Sequence, residues 1–290
     1  MNLKPYKTTP LLKEKLWGGE RLKDYGKSFE GASMGESWET YSPEGTIPLL
    51  VKFIDANDVL SVQVHPGDEY ARRVEGRQNG KNELWIVLDC AEDASIVYGF
   101  NRMLDKDELR EFIQENRLVE VLNVVRVKKG DCIFLPSGTV HSLGQGVLVY
   151  ELQQPSDLTY RFYDWDRCDG NGEKRELHIE KALEVADLSA GRDKIINIYD
   201  FTGADGINIV KLAQCEFFCC FYLQLRKNNR YRLEKGSFRA ISCISGAGRL
   251  AYENEELELK KGETCIIPRE YGEAAVISGT VDAEFIVAVL

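Results

Sequence analysis

The sequence predicts a mainly β protein built as two β units, the first interrupted by a helical insertion. Three observations lead there. From about Ile195 to Leu290 short apolar runs are broken by Gly and Asn turns, an all-β pattern. Similar runs in the first half are interrupted by a helical stretch at residues 103–122. And LKKGETCIIPREYGEAAV, residues 259–276, aligns without gaps on VKKGDCIFLPSGTVHSLG, residues 127–144, so one strand-turn unit occurs twice. The expected division is 1–190 for the first unit and 191–290 for the second.

Residues 1–50 contain LWGGERL and MGESWETYSPEG, rich in Gly and Trp; they read as short strands or loops whose aromatic residues pack as a flap. IPLLVKFIDA, from Ile47, is a strand with Lys52 inside an apolar run. A lysine buried there requires an anionic partner; an edge lysine that snorkels to solvent is the other reading. In LSVQVHPGDEYARRVEG the strand period of two puts Ser61, Gln63 and His65 on one face and Val62 and Val64 on the other. Pro66 ends that strand, and Asp68 and Glu69 open a short helix. In ELWIVLDC, Glu83 heads an apolar strand and shares a face with Lys81, opposite Leu84, Ile86 and Leu88. A free carboxylate there is costly unless it binds a cation.

The insertion carries a capping signal: Asp105 with Glu108 closing a capping box, and Leu104 stapled on Leu109. Next comes KGDCIFLPSGTVHS, residues 129–142, where Pro136 and Gly138 make a tight bend that delivers His141. In TYRFYDWDR, Arg161, Tyr163 and Trp165 share one face and Tyr160 and Phe162 the other. LHIEKALEVADLS, residues 177–189, is a helical link, and His178 within it has a structural role.

The repeat supplies an internal control. Lys-Lys-Gly, an acidic residue and a Pro recur in order, yet Gly138 becomes Glu270 and His141 becomes Glu273. The imidazole is therefore not needed to make the hairpin. With only three histidines in the chain, His65 and His141 join Gln63 and Glu83 as an N/O ligand set suited to zinc, manganese, iron or cobalt.

A net charge of −10 argues against nucleic acid or an anionic membrane as the main partner. No apolar run approaches the roughly 18 residues of a membrane span, and the first residues lack a signal-peptide core, so the cytoplasm is expected. The eight cysteines form no CxxC pair and read as reduced, buried thiols.

Gly130, Pro136, Gly138 and His141 resemble the second motif of the cupin β-barrels, with Gln145 where that motif usually has Asn. QVHPGDEYA, GKNELWIVLDC, PSGTVHSLGQG and TYRFYDWDR in this order resemble the class I mannose-6-phosphate isomerases of the short bacterial type, over nearly the whole length. Asn82 departs from that family's usual Lys-Thr-Glu. The resemblance implies two jelly-roll cupin domains, the second degenerate and metal-free. It implies one zinc ion per chain in the first domain, held by His65, Glu83, His141 and Gln63. It places Arg161 on the catalytic arginine and Lys52, Lys81 and Ser61 along the pocket, with Lys81 a candidate proton carrier and Lys52 and Ser61 phosphate partners. The implied substrate is a small sugar phosphate, handled by a monomer or homodimer. Three rivals stay open: a cupin oxygenase using non-haem iron, which has no need of three added cations, a sugar-binding cupin without catalysis, and an isomerase whose preferred sugar is not mannose 6-phosphate.

Overall fold

A computed structural model describes residues 4–31, 33–42, 44–168, 171–190, 195–271 and 275–290. The chain opens with β1 (Tyr6–Lys7), β2 (Leu11–Gly19), β3 (Met34–Trp38) and β4 (Leu50–Ala56). β5 (Val62–Val64) is followed by α1 (Asp68–Glu75), β6 (Glu83–Cys90) and β7 (Ser95–Phe100). α2 (Lys106–Gln114) and a 3-10 turn at Leu118–Glu120 come next. β8 (Leu122–Arg126), β9 (Asp131–Leu135), β10 (His141–Leu143), β11 (Val147–Gln153) and β12 (Tyr160–Tyr163) then precede α3 (Ile179–Val185) and β13 (Ile196–Asn197). Beyond a 3-10 turn at Ile198–Asp200 the elements are all strands: β14 (Ile207–Gln214), β15 (Cys219–Leu225), β16 (Arg230–Leu233), β17 (Arg239–Ser245) and β18 (Ala247–Tyr252). β19 (Glu255–Lys260), β20 (Thr264–Ile267), β21 (Ala275–Gly279) and β22 (Ala283–Val289) complete the chain.

The strands form four layered sheets among the described residues. In the first half a seven-stranded sheet, β13-β9-β6-β11-β4-β3-β2, faces a five-stranded one, β12-β5-β10-β7-β8. In the second half a six-stranded sheet, β1-β20-β17-β22-β15-β14, faces a four-stranded one, β16-β21-β18-β19. Trp85, Val87, Ile133 and Val149 pack against Ile96, Tyr98 and Leu143 inside the first pair. The outer face of the seven-stranded sheet, with Phe53, Leu84, Ile86 and Tyr150, packs on Cys220, Tyr222, Ala240 and Ile286 of the six-stranded sheet. Both large sheets are thus buried on both faces, which is why β4, β6 and β11 read as nearly unbroken apolar runs. Val62, Val64 and Phe162, on the outer face of the five-stranded sheet, are covered by Leu109 of α2 and by Ala182 and Leu183 of α3.

Several expectations need correction. The strand orders are open, so the facing sheets make sandwiches and no closed barrel is found. The Trp- and Gly-rich start is no flap: β2 and β3 pair with each other and with β4 as edge strands of the seven-stranded sheet. Two short edge pairings also reach across position 190/191, without deciding where the units divide. β1 joins β20 of the second half, and β13 joins β9 of the first. The capping box is half made: Asp105 accepts the Glu108 N–H at 2.8 Å, while the Glu108 carboxylate turns to Arg102. All eight cysteines are free; Cys168 is exposed, and Cys90, Cys215 and Cys219 are half-buried. Of the two repeat substitutions, Glu273 lies outside the described residues. No helix of the described residues is long and apolar enough to cross a membrane.

Candidate active site

The polar residues converge between the two sheets of the first half. Alternation along β5 sends Val62 and Val64 outward to the helices, so Gln63 and its neighbours Ser61 and His65 face inward. β10 pairs with β5 so that His141 lies opposite Gln63. Glu83 starts β6 on the facing sheet, where it pairs with Leu135 and Gln153.

His65 Nε2 and His141 Nε2 lie 3.5 and 3.4 Å from the two oxygens of Glu83. One donor atom from each of the three residues falls within 4.8 Å of the others, and all three are buried. The remaining ring nitrogens are fixed by backbone carbonyls: His65 Nδ1 lies 2.7 Å from Leu158 O, and His141 Nδ1 lies 2.8 Å from Thr139 O. A carbonyl only accepts, so each Nδ1 donates and each Nε2 turns its lone pair to the cluster. Burial, with Lys81 adding to it, pushes the His65 imidazole down to about 3, and burial also lowers His141, so both rings are neutral. Burial alone would raise Glu83, but the Lys81 ammonium against it holds it well below the usual carboxylate range.

Neither Glu83 oxygen has a hydrogen-bond partner of ordinary geometry among the described residues, and Lys81 meets one of them as an ion pair. Two imidazole lone pairs aimed at a buried carboxylate repel one another unless a cation lies among them. Lys81 Nζ supplies one such charge from the side, in contact with Glu83 and 3.4 Å from His65 Nε2. The donor set itself fits a divalent metal: two nitrogens and a carboxylate with a position left open. Gln63 stands at that opening, its Nε2 3.3 Å from His141 Nε2 and its Oε1 accepting the Ser61 hydroxyl at 3.2 Å. Half a turn of the amide would bring the oxygen to the cluster.

Gln63 and Lys81 also line a cavity of about 150 Å³, together with Lys15, Glu36, Trp38, Lys52, Ser61, Trp85, Glu151, Asp157, Arg161 and Arg175. The expected pocket residues Lys52, Ser61, Lys81 and Arg161 are thus brought together. Lys52 has the anionic partner its burial demanded, Glu151 Oε1 at 2.8 Å. Burial would lower its pKa, but Glu151 and Glu36 raise it instead. Its charge is already matched, which weakens it as a phosphate partner. Glu151 Oε2 accepts the Trp85 indole N–H at 2.8 Å, and the Trp85 ring stands edge-on to His141 with centroids 5.3 Å apart. Asn82, the departure from the family pattern, ties the start of β6 in place. Its amide donates to Gln154 at 2.7 Å and its oxygen accepts the Ser137 N–H, beside the bend before His141, at 3.0 Å.

Arg161 makes no ion pair among the described residues, and its buried Nε has no partner. Burial and the neighbouring Arg175 lower its pKa. His178 supports its strand: the His178 N–H donates to Arg161 O at 2.9 Å, and the Arg161 N–H lies 3.4 Å from His178 Nδ1. Glu36, Glu151, Lys15 and Arg175 went unread as site residues. Glu151 had a signal in retrospect, since it sits directly across from Lys52 in the β4–β11 register; the others depend on tertiary packing.

A model of the cupin domain of mannose-6-phosphate isomerase matches residues 208–289. Mannose-6-phosphate isomerase ManA of Bacillus subtilis is 35% identical over 305 residues, covering 94% of this chain and 96% of the relative. The chain belongs to the mannose-6-phosphate isomerase family. Mannose-6-phosphate isomerase of Streptococcus mutans is 34% identical over 88% of this chain and 89% of its own length. The crystal structure of the Bacillus subtilis isomerase superposes with a TM-score of 0.88 at 34% identity, covering 98% of this chain and 99% of that one. A zinc-bound mannose 6-phosphate isomerase, at 15% identity and TM-score 0.75, shares the fold.

Proposed function

We propose that this protein interconverts D-mannose 6-phosphate and D-fructose 6-phosphate through an enediol-type intermediate, with one zinc ion per chain held by His65, Glu83 and His141 and approached by Gln63. Family membership supports the reaction, and relatives at about 35% identity over most of the chain carry that name. The observation that carries the site is the buried Glu83 carboxylate facing two neutral imidazole nitrogens, with Lys81 reaching it from the side. When bound there, zinc supplies Lewis-acid polarisation of a carbonyl or hydroxyl oxygen.

The protein's own groups do the rest. Moving a carbonyl between C1 and C2 requires a proton to leave one carbon and one to reach its neighbour, and negative charge develops on oxygen between those events. Arg161 is cationic, partly buried and without an ion pair among the described residues, so its guanidinium stabilises that charge with little competition. Lys81 lines the cavity while contacting the donor cluster, which makes it the candidate to carry the proton. Glu36 is a poorer base: burial would raise it, but Lys52 and Lys15 hold its pKa down. Lys52 and Ser61 line the same cavity and help to orient the sugar. In this reading residues 1–190 are the catalytic cupin unit, with α2 inserted, and 191–290 a metal-free cupin that supports it. The enzyme works in the cytoplasm, as a monomer or homodimer, with no nucleic-acid or membrane partner.

A coupled assay for fructose 6-phosphate, run before and after chelation and zinc return, tests the reading. Turnover lost with chelator and regained with zinc is expected. Saturable sugar-phosphate binding without turnover in zinc-loaded protein would replace it with a non-catalytic sugar-binding role.

A further inference from the structure

The cavity's cations are not equally committed. Lys15 pairs with Glu36 at 3.4 Å, Lys52 with Glu151 at 2.8 Å, and Lys81 contacts Glu83. Arg161 has no ion-pair partner among the described residues, and Arg175 pairs only with Asp164, a carboxylate outside the cavity lining. Asp164 is 5% exposed; its Oδ2 accepts Arg175 Nε at 2.7 Å, and its Oδ1 accepts Arg175 Nη2 at 2.5 Å and Arg167 Nη2 at 2.7 Å. Asp164 is shared between Arg175 and Arg167, and Arg167, outside the cavity lining, also lies 3.7 Å from Asp58, so Arg161 and Arg175 are the least neutralised cations of the lining. Asp157, the carboxylate lining that side, is exposed and forms no ion pair with either arginine among the described residues.

The loop that holds Asp164 is tightly specified. Trp165 and Asp166 both adopt left-handed backbone angles, φ 57° and 54°, a conformation costly for a bulky residue. It is held there because the Trp165 indole donates to Leu60 O at 2.7 Å and Arg167 Nη1 donates to Val59 O. The same contacts fasten the loop to the segment entering β5. β12 runs antiparallel to β5, with Tyr160 opposite Val64 and Tyr163 opposite Val62. Asp164, just past the end of β12, thus lies beyond Arg161 on the side away from His65. In a hexose 6-phosphate the reacting carbons and the phosphate likewise occupy opposite ends.

We infer that Arg175, oriented by Asp164, binds the phosphate of the sugar phosphate, and that Asp164 is a positioning residue for substrate recognition. This rests on the isomerase reading above. Bidentate engagement by Asp164 fixes the Arg175 guanidinium plane and leaves its Nη1 donors for the ligand. A phosphate monoester carries about two negative charges near pH 7, and an incompletely neutralised guanidinium is suited to meet them.

Arg175→Ala, Arg175→Lys and Asp164→Asn test this in zinc-loaded protein. Arg175→Ala should raise KM for mannose 6-phosphate about 10- to 100-fold with kcat within about threefold, because the phosphate takes no part in the bond changes. Its inhibition constant for inorganic phosphate should rise in proportion. Arg175→Lys should recover part of the loss, and Asp164→Asn should raise KM less than Arg175→Ala. Unchanged KM and phosphate inhibition in Arg175→Ala, or a fall in kcat alone, would overturn the assignment. Should the unaltered protein not turn over mannose 6-phosphate, the isomerase reading fails, and the arginine site is judged separately by melting. Inorganic phosphate should stabilise the unaltered protein and not Arg175→Ala; equal shifts for both, or none for either, would refute the site. Melting of each variant without phosphate separates loss of fold from loss of binding.

Discussion

In the first half, the Lys128 N–H donates to Asp131 Oδ2 at 2.9 Å, Gly130 sits at φ 88°, and the Thr139 N–H donates to Pro136 O at 3.1 Å. In the second half, the Lys260 N–H donates to Glu263 Oε2 at 2.7 Å, Gly262 sits at φ 85°, and the Tyr271 N–H donates to Pro268 O at 3.1 Å. The two strand-turn units match bond for bond. Their neighbours match in register too: Leu135 pairs with Glu83 and the repeat's Ile267 with Arg239, while Glu151 pairs with Trp85 and Lys52, and Val287 with Ile241 and Phe221. Glu83, Trp85, Glu151 and Lys52 in one half thus stand where Arg239, Ile241, Val287 and Phe221 stand in the other. A buried cation replaces the carboxylate of the donor cluster, and apolar side chains replace the ion pair. The scaffold does not require the polar column, so that column exists for chemistry.

That contrast can be broken most severely at His141. His141→Ala should lose bound metal and at least a hundredfold in kcat/KM while keeping its fold, as metal analysis and circular dichroism would report. Arg161→Ala should lower kcat by about 10²- to 10³-fold with metal content unchanged, a split that separates it from the ligands. The two halves should also differ in stability cost. Glu151→Ala strands a buried lysine and should cost about 3–5 kcal/mol, whereas Val287→Ala, at the matching place, should cost about 1.5–2.5 kcal/mol by denaturant titration. The smallest difference is expected at the shared turn. Gly130→Ala and Gly262→Ala should each destabilise by more than about 1 kcal/mol, since both need a left-handed backbone. Gly262→Ala should be worse, because its new methyl meets the Tyr25 backbone carbonyl rather than the Tyr199 ring.

The donor cluster was legible because strand alternation puts Ser61, Gln63 and His65 on one face, and because the repeat keeps the bend without the imidazole. A buried lysine at position 52 announced a missing anion, but Glu151 lies 99 residues away, and only the pairing of β4 with β11 brings it across. Arg175 and Asp164 were illegible for a related reason: they meet through a loop whose left-handed angles at Trp165 and Asp166 no local propensity suggests. The start of the chain was misread as a flap because Gly18, Gly19 and Gly35 look like turn residues. Gly18 and Gly35 are small because strands approach closely there, a methyl on Gly18 meeting the Gly35 backbone and one on Gly35 meeting Lys15 and Trp17. β1 and β13 cross between halves because edge pairing between distant segments leaves no periodic trace.

The most direct test is zinc titration of chelated, metal-free protein, following bound metal and mannose 6-phosphate turnover together. One equivalent per chain should restore full activity, and Glu83→Gln should neither bind that equivalent nor turn over. Full turnover in metal-free protein, or tight stoichiometric zinc binding by Glu83→Gln, would contradict the site.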